Sequence, residues 1–149
     1  MCWCWFTNKA FPGNELIETF MNSKILIVDD ESYIRMLIEQ TLEDLEDEEV
    51  ELLFAENGED ALAAIQKERP DLVFLDVMMP KMNGIDVCQK VKEDSSLEKV
   101  HIILLTAKGQ EADKKKGLEV GANRYMTKPF DPDELLDIAR EVLNLPETG

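Results

Sequence analysis

The chain has 149 residues, 44% of them hydrophobic, which is the length of one ordinary domain with enough apolar material for a core. Its 32 acidic residues against 16 basic ones leave a formal net charge of −16, which argues against general attraction to nucleic acid or to an anionic membrane and for a cation or a partly basic partner. No apolar run approaches the roughly 18 residues of a membrane span, and three cysteines in a chain of this size make no disulfide framework and suit a reducing cytoplasm.

Residues 1–22 stand apart as an N-terminal extension, expected to be poorly ordered: they open on MCWCWF and break at Phe11-Pro12-Gly13 before anything periodic begins. They lack the charged start, unbroken apolar stretch and small-residue cleavage site of a signal peptide. Cys2 and Cys4 have no second cysteine pair, and the one histidine, His101, is far away, so a metal site there is not favoured. A lipidated or membrane-resting leader is left open but unsupported.

From Lys24 onward, short β-branched runs alternate with segments whose apolar residues recur every three or four positions, the pattern of βα units. In chain order this predicts a strand over Lys24–Val28 and a helix over Ser32–Glu46, then a strand over Glu49–Phe54 and a helix over Gly58–Glu68. A strand over Leu72–Leu75 precedes a helix over Asn83–Lys92, and a strand over Val100–Leu105 precedes a helix over Gln110–Val120. The last pair is Arg124–Met126 and Pro132–Leu143, the helix capped by Asp131 with proline at its first position. The end of the first helix is the least certain boundary, because LEDLEDEEVELLFAE carries so many charges. Several strands are apolar on both faces, which places them inside a sheet covered by helices on both sides. Five such units give an α/β fold with an open, doubly wound parallel sheet over residues 23–146.

Ligands collect at the carboxyl ends of such strands. There the sequence sets Asp29, Asp30 and Glu31 after the first strand, Asp76 after the third, Thr106 after the fourth and Lys128 after the fifth. Each alone reads as a loop residue or a helix cap; together, at the ends of four strands, they read as a site. Three close carboxylates repel one another and call for a counterion, and all-oxygen ligation suits Mg²⁺ or Mn²⁺. A divalent metal, a lysine and a hydroxyl describe a seat for a phosphoryl group, with Asp76 placed to attack it.

ILIVDDE, DLVFLDVMMPKMNG, IILLTAKG and GANRYMTKPF, in this order and spacing, resemble the receiver domain of two-component response regulators, of the single-domain chemotaxis type. The resemblance covers Lys24 to Leu145. It implies a flavodoxin-like sheet in strand order 2-1-3-4-5, an order that periodicity alone does not yield. It implies that Asp76 is the phosphoacceptor, taking its group from a phosphohistidine of a sensor histidine kinase or a histidine phosphotransfer protein. Asp30 would bind the metal directly and Asp29 mainly through water, with Asp76 and the backbone carbonyl of Met78 completing the protein ligands. Lys128 would contact a phosphoryl oxygen, Pro129 would follow a cis peptide bond, and Thr106 with Tyr125 would form the conformational switch. That switch would change partner binding at the face of helix four, strand five and helix five, in a monomer or a phosphorylation-dependent dimer.

Met78 and Lys108 occupy the positions that tune dephosphorylation in this family. Neither orients an attacking water well, so a long-lived phosphorylated state is expected. Basic residues gather at Lys108, Lys114, Lys115, Lys116 and Arg124, whereas residues 36–66 contain eleven acidic residues and no basic one. An acidic or mixed partner on the basic side and a merely solvated lysine-rich helix fit this equally. Arg124 replaces an acidic residue common in the family before the switch aromatic, while His101 and Cys88 read as structural. With so few residues after the fifth helix, the expectation is a receiver without an output domain, either stand-alone or excised from a longer protein; a stand-alone one would act by binding and not by contact with DNA. A phosphohydrolase of the haloacid dehalogenase-like kind would also use Asp76 as nucleophile, but its general acid would stand at Met78, which cannot move a proton. A phosphorylation-independent binding module need not keep Asp29, Asp30, Asp76, Thr106 and Lys128 together.

Overall fold

The computed structural model describes residues 23–46, 49–107 and 111–145; the expectations for residues 1–22 and for Lys108 fall outside them. Within this span the chain alternates β1 (Ser23–Val28), α1 (Ser32–Glu46), β2 (Val50–Ala55), α2 (Gly58–Glu68), β3 (Leu72–Asp76), α3 (Gly84–Glu93), β4 (His101–Ala107), α4 (Glu111–Glu119), β5 (Arg124–Lys128) and α5 (Pro132–Leu143). The strands form one parallel sheet in the order β2-β1-β3-β4-β5. Among the described residues no helix is long and apolar enough to cross a membrane.

The sheet sorts its side chains by the two-residue period of a strand. Ile25, Ile27, Leu72, Phe74, Ile103 and Leu105 point to one face and pack with Ile38, Leu42, Leu135 and Ile138 of α1 and α5. Their neighbours Leu26, Val28, Val73, Leu75, Ile102 and Leu104 point to the other, against Ile65 of α2 and Val87 and Val91 of α3. This is why β1, β3 and β4 are apolar nearly throughout: they are covered twice, each fully buried Leu, Ile or Phe contributing about 1.5–3 kcal/mol. The edge strands β2 and β5 are covered less and carry exposed positions.

Differences from the predicted boundaries have local causes. Glu49 takes a φ of 62°, the left-handed region, so it turns into β2 and does not begin it. Asn83 caps α3, accepting a hydrogen bond from the Asp86 N–H at 2.9 Å, which starts the helix at Gly84. A short 3-10 turn at Ser95–Leu97, not foreseen, is capped by Asp94. Asp131 caps α5 ahead of Pro132.

Candidate functional site

Strand order makes the site. The chain leaves β1 toward β2 on one side and returns to β3 on the other, so the loops after β1 and β3 diverge and leave a crevice at the carboxyl end of the sheet. Asp29 and Asp30 follow β1 directly and Asp76 ends β3. One carboxylate oxygen from each lies within 4.8 Å of the others. Lys128, the last residue of β5, reaches over the end of β4 to join them: its Nζ lies 2.7 Å from Oδ2 of Asp29 and 3.2 Å from Oδ1 of Asp76. Asp30, Glu31, Asp76, Met78, Ala107 and Lys128 line a cleft of about 250 Å³.

The three acids differ in environment. Asp29 is fully buried and held on every side: its N–H donates to the Ala55 carbonyl, its Oδ1 accepts from the Glu31 N–H at 2.9 Å, and its Oδ2 accepts from Lys128. Asp30 is exposed. Asp76 is buried, and that burial, helped by the neighbouring Asp29 charge and opposed by Lys128, raises its pKa from 3.8 to about 6. Burial pulls Lys128 down, but its hydrogen bond to Asp29 and its pairing with Asp76 outweigh that and hold it above the ordinary lysine value.

This donor set fits a small hard dication. It offers only oxygen, it is open on one side, and among the described residues the Lys128 ammonium answers its negative charge. Nothing in it resembles the nitrogen and sulfur ligation of zinc.

Of the other predicted residues within the described span, Met78 lines the cleft, and Thr106 and Tyr125 stand on the adjacent strands β4 and β5. Thr106 is buried beside Asp76 on the neighbouring strand, and its Oγ1 donates to the Met126 carbonyl over a long 3.4 Å. Tyr125, on β5, is half-buried against the apolar layer on the α2 and α3 side, with Lys114 Nζ 3.9 Å from its ring centroid. The Lys128–Pro129 peptide bond is cis. Met78 is 60% exposed at the cleft mouth. Cys88 is a buried core residue whose thiol is pushed up to about 11, chiefly by burial.

Two participants escaped the sequence. Arg35, on α1, donates through Nη1 to the Asp29 carbonyl at 2.6 Å and through Nη2 to Glu56 at 3.1 Å. Gly84 lets α3 approach the end of β3: a Cβ there would lie 2.2 Å from the Asp76 carbonyl oxygen. MNG in the sequence was the available signal for the second; a lone arginine on an amphipathic helix gave none for the first.

The family model for the response regulator receiver domain matches residues 25–140. The phosphate regulon transcriptional regulatory protein PhoB of Pseudomonas aeruginosa is 47% identical over 119 residues, which cover 80% of this chain and 51% of PhoB. The alkaline phosphatase synthesis transcriptional regulatory protein PhoP of Bacillus subtilis is 43% identical over 127 residues, 85% of this chain and 51% of PhoP. The chain thus spans about half the length of the curated relatives it matches. Of solved structures, the chemotaxis response regulator CheY4 of Vibrio cholerae superposes with a TM-score of 0.71 at 36% identity, covering 80% of this chain and 98% of CheY4. The BeF3-activated receiver domain of DrrB superposes with a TM-score of 0.73 at 34% identity, covering 83% of this chain and 99% of that one. Sequence motifs, strand order and superposition agree, and the chain belongs to the response regulator receiver domains of two-component signalling.

Proposed function

We propose that this receiver is a phosphoacceptor in which Asp76 takes a phosphoryl group from a phosphohistidine on a sensor histidine kinase or a histidine phosphotransfer protein. The observation that carries the proposal is the meeting of Asp29, Asp30 and Asp76 with the Lys128 ammonium at one open cleft. With a pKa of about 6, Asp76 is mostly ionised at neutral pH, so its carboxylate can act as a nucleophile. A carboxylate oxygen attacks phosphorus, the P–N bond to the imidazole breaks, and the bonding pair leaves with the ring nitrogen. Lys128, already 3.2 Å from Asp76, is within reach of a phosphoryl oxygen bound there while keeping its bond to Asp29.

Asp30, Asp76, the Met78 carbonyl and, mainly through water, Asp29 would hold Mg²⁺ or Mn²⁺. When bound, the cation neutralises charge on the phosphoryl oxygens. Met78 supplies no acid or base, so this is a signalling acceptor that catalyses its own phosphorylation and slow hydrolysis, not a phosphatase turning over small esters.

Output follows from Thr106. Its long bond to the Met126 carbonyl is weak enough to be exchanged for a phosphoryl oxygen, and that movement frees space toward which Tyr125 can turn. Such a turn takes the ring away from Lys114 and alters the face made by α4, β5 and α5, where the downstream protein would bind. PhoB and PhoP are transcriptional regulators by name; from them we carry over the receiver chemistry and not an action on DNA.

The test is intact-mass spectrometry after incubation with a small phosphodonor, with Mg²⁺ or with chelator, on wild type and Asp76→Asn. A gain of one phosphoryl group only in wild type with Mg²⁺ is expected. No adduct with any donor, or an equal adduct in the variant, contradicts the proposal.

A further inference from the structure

Arg35 lies on α1 with a side chain only 16% exposed, committed to two charge-assisted contacts. Nη1 donates to the Asp29 carbonyl at 2.6 Å, and Nη2 pairs with Oε1 of Glu56 at 3.1 Å. Glu56 follows β2, whose last residue, Ala55, accepts the Asp29 N–H at 3.3 Å. The Arg35 backbone N–H in turn donates to the Glu31 carbonyl at 3.2 Å. One residue therefore joins α1, the loop after β1 and the loop after β2 at the start of the acidic cluster.

The Asp29 carbonyl is the oxygen of the peptide unit that leads into Asp30. That unit is planar, so fixing its oxygen fixes the plane in which the chain leaves β1 and the direction in which Asp30 departs. The other contacts of Asp29 hold its amide and its carboxylate, and the bond from the Glu31 N–H to Oδ1 closes a local turn across this unit; Arg35 adds a hold on its oxygen. Asp30 is the exposed member of the acidic trio, without the burial that holds Asp29 in place.

We infer that Arg35 is a positioning residue for the metal site: through the Asp29 carbonyl it holds the Asp30 carboxylate beside those of Asp29 and Asp76. The inference rests on the receiver chemistry proposed above. It has a distinctive sign. Arg35 places a positive charge next to a seat for a cation, so electrostatics alone predict that removing it tightens Mg²⁺ binding. Positioning predicts that removing it weakens binding. A merely structural role lowers the melting temperature without changing the affinity of the folded protein.

The experiment is isothermal titration calorimetry of Mg²⁺ into the chelator-stripped, unphosphorylated full chain, for wild type, Arg35→Gln, Arg35→Lys and Glu56→Gln, with a thermal melt of each. Arg35→Gln is expected to weaken Mg²⁺ on the order of tenfold, the low end for losing a group that orients a ligand. Arg35→Lys keeps the charge but not the fork, and is expected to weaken binding by about threefold. Glu56→Gln, on an exposed partner, should stay within about twofold of wild type. Arg35→Gln binding Mg²⁺ as tightly as wild type, or more tightly, overturns the inference. Should Arg35→Gln fail to fold, wild-type affinity in Arg35→Lys overturns it. A wild-type chain that binds no Mg²⁺ overturns the receiver chemistry as well.

Discussion

Lys128 and Asp29 are 99 residues apart in the chain, and the lysine Nζ lies 2.7 Å from Oδ2 of the aspartate. Their strands, β1 and β5, are not neighbours; β3 and β4 stand between them. The lysine thus bridges the carboxyl edge of the sheet, answering two buried carboxylates with one ammonium. Taking it away leaves both charges without their counterion, the costly half of breaking a buried pair. Lys128→Met should lose about 2–3 kcal/mol in chelator, less than for a fully buried pair because the site is open to water on one side. Excess Mg²⁺ should recover part of the loss. Urea unfolding in the two buffers measures both, and an unchanged midpoint in chelator would contradict this role.

Stability of the metal-free protein should depend on Asp76 in a definite direction. Its pKa is raised in the folded state to about 6 from 3.8, by burial first and then by Asp29. The folded protein therefore takes up this proton before the unfolded chain does. The contribution of Asp76 to stability is fully present below about 3.8 and is lost as pH rises through about 6. Asp76→Asn removes the loss, so in chelator at pH 8 the variant should be the more stable by on the order of 2–3 kcal/mol. The difference should shrink as pH is lowered toward 4. Denaturant melts across this range test it; parallel profiles for the two proteins would rule it out.

Gly84 should resist enlargement. A Cβ would lie 2.2 Å from the Asp76 carbonyl oxygen and 3.0 Å from its carbon, while the Gly84 N–H donates to the Val77 carbonyl at 2.9 Å. Since both obstacles are backbone, the end of β3 itself must move. Gly84→Ala should cost about 1–3 kcal/mol and slow phosphorylation as well, because Asp76 and Met78 sit on the displaced segment. Melting at the wild-type temperature would show that the loop accommodates the methyl group.

The sequence made much of this legible, and the reason is physical. Asp29, Asp30, Asp76, Thr106 and Lys128 stand directly at strand ends, and strand ends follow from the alternation of apolar residues. The order 2-1-3-4-5 came only with the family resemblance, since the pattern of one strand says nothing of its neighbours. Arg35 was invisible because its role depends on a backbone carbonyl, a partner that no residue type announces. Gly58 was read as a helix start alone, yet a Cβ on it would lie 1.9 Å from the Met82 carbonyl oxygen, so it also seats the loop after β3. The pairing of Lys114 with the Tyr125 ring arises from how α4 lies against β5, which periodicity does not specify.

Hydrolysis of the aspartyl phosphate should be slow. Met78, 60% exposed at the cleft mouth, offers an attacking water neither an acceptor nor a donor of useful strength. The phosphorylated protein should persist for minutes or longer without a phosphatase, and Met78→Asn, which can orient water, should shorten its life several-fold. A phosphate-release assay on isolated phosphoprotein decides; loss within seconds in wild type would contradict the expectation.

Phosphorus that ends on Asp76 can be located there chemically. Borohydride reduces an aspartyl phosphate to homoserine, so phosphorylated protein can be reduced, digested and sequenced by mass spectrometry. Homoserine is expected at position 76 alone, formed only when phosphodonor and Mg²⁺ are both supplied. Homoserine at Asp29 or Asp30, or none in protein that carries a phosphoryl group, would contradict it.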